Sequence, residues 1–355
     1  MSETRIRILH ISDLHVRNEK NEPNGWRRRR VLGDNWNRNL DDLIRDEPLD
    51  LICFTGDLTH GGQREEYEQL GEFIEAVLAR THVTRERLFV VPGNHDIERR
   101  KEQDAWKALR SLGHYESNAL SQWMAGGSGL RGIPDEYRDL ILERQREYRN
   151  WLAKDLRRPE LLPDPAKGHP RLGYRAELSG WPFPVHIIGL DSAWLAGDDS
   201  DHGKLQLTDE QVGRLTDGLT GFRLALVHHP LTDLADGTTC RRLLAERVGL
   251  LLRGHLHETE LSLWSDPDRD LREIASGCLY ESDRYPNACQ RVDVTLDGNG
   301  KPLRYDLRFR AWSPRGFWYD DNSVYRNVVS GRYTWNTSPL AAANALVPGG
   351  SLPRP

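Results

Sequence analysis

Short apolar runs alternate with longer amphipathic stretches along most of the chain. The runs, rich in Ile, Leu and Val, cover residues 6–11, 49–55, 88–91, 185–190, 222–227 and 249–253. Their nearly continuous apolarity is typical of strands that are buried on both faces. Between the runs, residues 35–45 and the helically spaced apolar positions from Tyr67 to Leu78 predict amphipathic helices. Residues 208–211 predict a capping box that begins another helix. This alternation predicts a layered α/β fold with largely parallel strands.

Polar side chains follow five of the predicted strands, directly where each strand ends. The five segments are Asp13-Leu14-His15, Gly56-Asp57, Gly93-Asn94-His95-Asp96, His228-His229-Pro230 and Gly254-His255-Leu256-His257. Carboxylate, amide and imidazole groups without cysteine favour borderline divalent ions such as Mn, Fe or Zn. One carboxylate shared by two ions about 3.5–4 Å apart supports in-line displacement at phosphorus. The segments therefore predict a two-metal site that acts on a phosphate ester.

In this order, the five segments resemble the signature blocks of calcineurin-like metallophosphoesterases. The resemblance covers about residues 6–257, and a strand-rich stretch to about residue 310 is similar to the family's second sheet. It implies a four-layer αββα sandwich over residues 1–310. Residues 99–180 are charged, rich in Arg, Glu, Trp and Tyr, and interrupt the α/β alternation, so they predict a mostly helical insertion that caps the metal cleft. Residues 311–355 are expected to form an aromatic C-terminal extension and a flexible tail. The insertion is expected to select the substrate, with a solvated decoration as the alternative.

The resemblance also implies a role for each polar residue of the five segments. It assigns the first ion to Asp13, His15, Asp57 and His257, and the second to Asp57, Asn94, His228 and His255. His95 is expected to face the substrate as an acid or as a phosphoryl-stabilising group, with Asp96 orienting its ring. The implied nucleophile is a hydroxide that bridges the two metals. His228, rather than its neighbour His229, is the expected ligand of the adjacent pair.

Several cations near these segments are candidate substrate contacts. Arg99 and Arg100 follow the third segment directly, and arginine binds phosphate with two parallel hydrogen bonds. His229 and His202 are further candidates. The run Arg27–Arg30 lies after the first segment, where it either contacts phosphate or forms a solvated turn. For each of them, an ordinary surface position is the alternative to a contact with substrate.

Composition narrows the setting of the protein. The 355 residues carry a formal net charge of −5, which gives no overall attraction to nucleic acid. The four cysteines have no Cys-x-x-Cys spacing and fit a reducing compartment, so we expect a cytoplasmic protein. Apolar stretches all fall short of the 18 residues that span a membrane. The predominance of Arg over Lys indicates a bacterial source with a GC-rich genome.

The aromatic stretch near the C-terminus has two interpretations. It contains Trp312, Phe317, Trp318, Tyr319, Tyr325, Tyr333 and Trp335. Aromatic and Arg side chains of this kind stack the bases of single-stranded nucleic acid. Alternatively, they attach the extension to the domain.

The Gly93–Asp96 and His228–Pro230 segments resemble those of the phosphodiesterase branch of the family. The resemblance therefore implies a phosphodiesterase that uses two divalent ions, with a nucleotide or a nucleic acid as a candidate substrate. The alternatives are a nuclease for DNA or RNA, a phosphomonoesterase, and a non-catalytic interaction module. The last is disfavoured because the ligand set is complete.

Overall fold

Two β-sheets carry the strands of this computed structural model, which describes residues 3–18, 24–113, 116–198, 200–282 and 284–337. The first sheet consists of β1 (Thr4–Ile11), β2 (Leu51–Phe54), β3 (Leu88–Val90), β10 (Ala288–Leu296), β11 (Pro302–Ser313), β12 (Phe317–Asp320) and β13 (Arg332–Asn336). The second consists of β4 (Tyr174–Leu178), β5 (Val185–Gly189), β6 (Phe222–Leu226), β7 (Leu250–Arg253), β8 (Glu260–Ser265) and β9 (Asp270–Ala275). Each of the six predicted strands is present, with ends that differ by at most two residues.

Strand order places the strands that lead into the five polar segments next to one another within each sheet. The first sheet has the order β12-β11-β10-β1-β2-β3, and β13 pairs with β11. Here β1, β2 and β3 are parallel, whereas β10 is antiparallel to β1. The second sheet has the order β4-β5-β6-β7-β9-β8, with parallel pairing from β5 to β9 and antiparallel strands at both edges. The carboxyl ends of the parallel strands therefore lie at one edge of each sheet.

Helices cover the outer faces of the two sheets. They are α1 (Gly25–Leu32), α2 (Asp34–Ile44), α3 (Arg64–Thr81), α4 (Gln103–Gly113), α5 (Ser117–Met124), α6 (Tyr137–Glu143), α7 (Arg146–Asn150), α8 (Asp209–Thr216) and α9 (Gly237–Arg247). Successive residues of a strand point to opposite faces. Accordingly, Ile187 and Leu224 join a core shared with the first sheet, whereas Ile188 and Ala225 join a second core with α8 and α9. The result is the predicted four-layer αββα sandwich.

Residues 99–180 are helical in part, as expected, but they add to the existing layers. Leu109, Leu120 and Ile141 of α4, α5 and α6 are buried in the core of the second sheet. A π-helical turn at Trp151–Asp155 packs on α3, where Trp151 stacks on Tyr67 with ring centroids 5.6 Å apart. The last residues of the stretch form β4, the edge strand of the second sheet. The expected insertion is thus distributed over both helical layers and one sheet.

The aromatic segment near the C-terminus belongs to the first sheet. The expected boundary at residue 310 falls inside β11, which pairs with both β12 and β13. Trp318 is buried, and its ring lies 5.2 Å from that of Trp36 in α2. Most of the segment therefore attaches to the domain, while Phe317 and Tyr319 stay exposed. The expected flexible tail from residue 338 lies outside the described residues.

Two local predictions are corrected by the structure. The run Arg27–Arg30 is helical and lies within α1, so it is not a solvated turn. At α8, the Thr208 side chain accepts from the main-chain N–H of Gln211, as a capping box requires. The reciprocal bond, from the main-chain N–H of Thr208 to the side chain of Gln211, is absent within this cap. The Thr208 N–H donates to the Asp236 carboxylate instead, and the Gln211 side-chain amide donates to the main-chain oxygen of Asp191. Within the described part of the chain, no helix is both long and apolar enough to cross a membrane.

Candidate metal centre

The five polar segments meet where the carboxyl ends of the two sheets face each other. Asp13 and His15 follow β1, Asp57 follows β2, and Asn94 follows β3. The histidine pair 228–229 follows β6, and the histidines at 255 and 257 follow β7. Main-chain hydrogen bonds fix neighbouring loops, as between Asp13 N and Gly56 O at 3.0 Å. A bond from the main-chain N–H of His255 to Asp13 Oδ2, 3.2 Å long, joins the two sheets. The predicted convergence of ligands from five strand ends is present in the structure.

The first cluster of candidate ligands contains Asp13, His15, Asp57 and His257. Their ligand atoms all lie within 4.8 Å of one another. The Nε2 atoms of His15 and His257 are only 3.3 Å apart, and Asp13 Oδ1 lies 3.2 Å from His257 Nε2. Imidazole nitrogens and carboxylate oxygens that face one buried point are the donor set that a borderline divalent ion prefers. The residues therefore fit a cation at this position.

The second cluster is arranged around His228. Its Nε2 lies 3.3 Å from Asp57 Oδ2, 3.2 Å from Asn94 Oδ1 and 3.3 Å from His255 Nδ1. Its Nδ1 donates to the main-chain oxygen of Thr55 over 2.7 Å, which directs Nε2 towards the cluster. Burial disfavours a charge on this ring, but the nearby Asp57 carboxylate outweighs burial and raises the pKa of His228 to about 9. A metal ion that binds here has to displace that proton.

Asp57 connects the two clusters through a single oxygen. Its Oδ1 accepts the main-chain N–H of His95 over 2.8 Å. Its Oδ2 lies 3.7 Å from His15 Nε2 in one cluster and 3.3 Å from His228 Nε2 in the other. Burial alone would raise the pKa of this carboxyl, yet the surrounding histidines, His228 first, hold it well below its usual value. One oxygen of Asp57 therefore faces a histidine of each cluster.

The backbone at these positions is held in unusual conformations. The φ angle is positive at five of these residues, namely Asp13 (57°), His15 (45°), Asp57 (52°), His255 (78°) and His257 (60°). A non-glycine residue in this region costs about 1–3 kcal/mol, and such residues concentrate at functional sites. The packing of the two sheets therefore sustains a strained arrangement that turns these side chains towards one point.

Two glycines allow the ligand loops to approach closely. A Cβ at Gly93 would lie 2.2 Å from Asp57 Oδ1 and 2.4 Å from the Asp57 nitrogen. Gly93 itself is extended, so close approach and not a left-handed turn explains this glycine. Gly56 has a φ of +90°, and a Cβ there would lie 2.5 Å from His228 Nδ1. Of these two glycines, only Gly56 adopts the left-handed backbone conformation.

His95 is oriented by a residue that sequence reasoning missed. Its Nδ1 lies 2.8 Å from the main-chain oxygen of His60, and the two rings are stacked with centroids 5.0 Å apart. The Asp96 carboxylate instead accepts from the main-chain nitrogens of Gly93, Leu58 and Thr59. The expectation that Asp96 orients the ring of His95 is therefore wrong. The closeness of His60 to Asp57 in sequence was its only signal.

His229 is buried beside the second cluster. Its Nδ1 lies 2.8 Å from Ser192 Oγ, and its ring centroid is 4.5 Å from that of His255. Burial, followed by the neighbouring His255 and His228, holds the pKa of His229 well below the usual range. One ring nitrogen from each of His228, His229 and His255 also lies within 4.8 Å of the other two. This burial favours a place behind the ligands over the expected contact with substrate.

The remaining candidates lie around the rim of the cleft. Arg99 is partly buried and donates to Asn94 O at 3.4 Å, whereas Arg100 is exposed. His202 is also exposed, and its Nδ1 pairs with Asp233 at 3.0 Å. Asp233 in turn lies 3.8 Å from His255 Nε2. Tyr285, which the sequence analysis did not select, places its ring perpendicular to that of His257 at 4.3 Å.

Comparison with known proteins agrees with this arrangement. The family model of calcineurin-like phosphoesterases matches residues 6–259. A curated relative, the uncharacterized metallophosphoesterase-like protein YydB of Bacillus subtilis, is 19% identical over an alignment of 352 residues that covers 95% of this chain. The chain spans 66% of the length of that relative.

Two solved structures are similar over most of the chain. One is the NAD nucleotidase NadN of Haemophilus influenzae, which is 12% identical in sequence and has a TM-score of 0.43. The match covers 91% of this chain and 54% of NadN. The other is the sulfate thiohydrolase SoxB of Thermus thermophilus, with 15% identity, coverage of 86% and 56%, and the same TM-score of 0.43. With the family model matched over most of its length, the chain belongs to the calcineurin-like phosphoesterase family.

Proposed function

We propose that the protein is a dinuclear metal-dependent phosphodiesterase. The observation that supports this most strongly is the position of Asp57 Oδ2, which faces a histidine of each cluster at 3.7 and 3.3 Å. The proposed ligands of the first ion are Asp13, His15, Asp57 and His257, and those of the second are Asp57, Asn94, His228 and His255. Bound ions of this kind supply a nucleophilic water at neutral pH and offset phosphoryl charge. Mn, Fe and Zn all suit the donor set.

His95 is the proposed acid or phosphoryl-stabilising group. The main-chain oxygen of His60 accepts from Nδ1, so the Nε2 atom remains for the substrate. Its ring packs edge-on against that of the proposed ligand His15, with centroids 4.8 Å apart. A positioned imidazole of this kind donates a proton to a leaving oxygen. Asp96 has a positioning role in the proposal, because it ties the loop of His95 to the loop of Asp57.

A diester is the proposed substrate on two grounds. The Gly93–Asp96 and His228–Pro230 segments resemble those of the phosphodiesterase branch of the family. In addition, His255 and His257 keep exposed fractions of 27% and 12%, so the cleft is open beside both clusters. Partly exposed Tyr285 and exposed His202 border this opening. An open cleft leaves room for ester groups on both sides of the phosphorus.

A substrate panel tests the proposal. We expect kcat/KM for bis-p-nitrophenyl phosphate, with Mn added, to exceed that for p-nitrophenyl phosphate at least about tenfold. Excess EDTA should abolish both reactions. A preference for the monoester would identify a phosphomonoesterase. Failure to cleave any phosphate ester with Mn, Fe or Zn would favour a non-catalytic interaction module.

A further inference from the structure

The helix α1 and the hairpin between β11 and β12 lie at the same edge of the first sheet as the metal centre. β10 runs antiparallel to β1, and β11 antiparallel to β10, so the end of β11 is level with the end of β1. Trp312 N, near the end of β11, donates to Asn287 O, in the loop that leads from the cleft into β10. Three strand spacings separate β1 from β12, or about 14 Å at about 4.8 Å each.

Helix α1 connects this hairpin to the metal centre. Arg28 donates to the main-chain oxygen of Leu14, which lies between two proposed ligands, at 3.2 Å. Two positions further along the helix, Arg30 donates to the main-chain oxygen of Arg315 at 3.3 Å. The turn residue Gly316 makes room for the Arg30 guanidinium, since a Cβ there would lie 2.3 Å from Nη2. One short helix thus carries cations from the cleft to the hairpin.

Arginines of α1 and of the hairpin between β11 and β12 are accessible to an anionic ligand. Arg29, Arg30 and Arg315 are exposed, and no carboxylate of the described residues pairs with them. By contrast, most arginines of the first sheet are neutralised, as Arg308 is by Asp320 at 2.8 Å. The net charge of −5 shows that the positive charge here is local. Unpaired guanidinium groups are suited to phosphate oxygens.

Exposed aromatic rings accompany these cations. Trp26 in the first turn of α1 has an exposed fraction of 62%, and Phe317 and Tyr319 on β12 have fractions of 48% and 38%. Between the latter two, Trp318 points to the opposite face of the strand and donates to Val31 O at 3.0 Å. This anchor fixes β12 against α1 and leaves Phe317 and Tyr319 outside. Exposed large aromatics beside free arginines form a surface that stacks bases and neutralises a backbone.

We propose that α1 and the β11–β12 hairpin bind single-stranded nucleic acid and lead it to the metal centre. This inference rests on the proposed phosphodiesterase function and names its substrate class. Arg29, Arg30 and Arg315 contact the phosphates, while Trp26, Phe317 and Tyr319 contact the bases. The structure also brings together the arginine run of α1 and the aromatic stretch near the C-terminus, since Arg30 contacts Arg315, which lies 285 residues further along the chain.

Binding to a fluorescein-labelled 15-nucleotide single strand tests the proposal without any cleavage. Fluorescence anisotropy in EDTA would compare the wild type with Arg29→Ala/Arg30→Ala and with Phe317→Ala/Tyr319→Ala. We expect at least about tenfold weaker binding for each variant, because the first loses two phosphate contacts and the second loses stacking that contributes about 1–3 kcal/mol per base. Loss of two phosphate contacts should also make the slope of log Kd against log salt shallower by about 1.4. The control Arg45→Ala/Arg80→Ala removes two exposed arginines that pair with Asp42 and Asp41.

Cleavage separates this inference from the function on which it rests. Both surface variants should hydrolyse bis-p-nitrophenyl phosphate like the wild type and lose at least about tenfold in kcat/KM on the oligonucleotide. If both surface variants bind and cleave the oligonucleotide like the wild type and also hydrolyse the small diester normally, the proposed nucleic-acid surface is refuted. The proposed phosphodiesterase function would then still stand. Equal losses for the control variant would also refute the nucleic-acid surface, because the effect would then be one of net charge. Failure of the wild type on the small diester would instead refute the proposed function.

Discussion

The main-chain N–H of His95 donates a hydrogen bond to Oδ1 of Asp57, with the two atoms 2.8 Å apart. This bond leaves Oδ2 of the carboxylate facing the two clusters. It also places the proposed catalytic imidazole next to the proposed bridge. Because the donor is a backbone group, any residue except proline at position 95 preserves it. The side chain of His95 can therefore be altered without releasing Asp57.

Replacing His95 with Asn should separate catalysis from metal binding. The Asn amide can replace Nδ1 as donor to His60 O, but it has no group in the place of Nε2. We expect kcat for a diester to fall by about 10²–10⁴, the usual contribution of a positioned acid. Metal content, measured by plasma mass spectrometry, should match that of the wild type. Loss of an ion in this variant would identify His95 as a ligand.

The adjacent histidines can be told apart with matched asparagine substitutions. His228→Asn preserves a donor to Thr55 O, and His229→Asn preserves a polar partner for Ser192 Oγ, while each removes Nε2. We expect His228→Asn to lose one ion and activity, because its Nε2 faces Asp57 and Asn94. His229→Asn should retain both ions. The reverse result in a metal titration would make His229 the ligand.

Gly93→Ala should disable the site through a single methyl group. The added Cβ would lie 2.2 Å from Asp57 Oδ1, so the bridging carboxylate or its loop has to move. We expect at least about a hundredfold loss of kcat/KM, since misplacement by about 1 Å has that effect. Gly71→Ala in α3 is the control, since beyond the adjacent residues and the backbone of the helix itself no atom lies within 4 Å of its added methyl group. Normal activity of Gly93→Ala would show that the close approach is dispensable.

The sequence predicted the layers and the convergence of ligands because both depend on local patterns. Apolar runs identify the strands, and each ligand lies within a few residues of a strand end. Contacts between distant segments were beyond that reasoning. The contact between Arg30 and the oxygen of Arg315 depends on the antiparallel order of β1, β10, β11 and β12, which the pattern of apolar residues does not encode.

The role of Asp96 was mispredicted for a related reason. The sequence shows that a carboxylate follows His95 directly, but not where its side chain points. In the structure, Asp96 accepts the main-chain N–H groups of Leu58 and Thr59, nearly forty positions away in the chain. The orientation of the His95 ring then comes from a backbone oxygen, which any residue at position 60 possesses. Residue type therefore gave no signal for this contact.

Stability should depend on pH through His10, which lies in β1 beneath the site. Its ring bonds to Thr55 Oγ1 and to the Gln290 amide, and burial lowers the pKa of His10 to about 3. Below about pH 6.5 the His10 imidazole binds a proton in the unfolded chain but stays neutral in the folded protein. As the pH is lowered from about 6 to about 4, the free energy of unfolding should therefore fall by about 1.4 kcal/mol for each pH unit because of His10 alone.

Urea unfolding of the metal-free protein at pH 7, 6 and 5 isolates this contribution. His10→Gln should show a shallower dependence on pH than the wild type, by about one proton. The exposed His82 provides a matched control, since His82→Asn should keep the slope of the wild type. Identical slopes in all three proteins would show that His10 is not the group responsible.

The central claim is that Asp57 holds two ions through one oxygen, and metal stoichiometry tests it most directly. Equilibrium dialysis against Mn, followed by metal analysis, should give about two ions per chain for the wild type and about one for Asn94→Ala. Asp57→Asn retains an acceptor for the His95 N–H but replaces the bridging oxygen with an amide, so it should bind both ions far more weakly and retain fewer than one. An Asp57→Asn protein that still binds two ions, or a wild type that binds only one, would contradict the account.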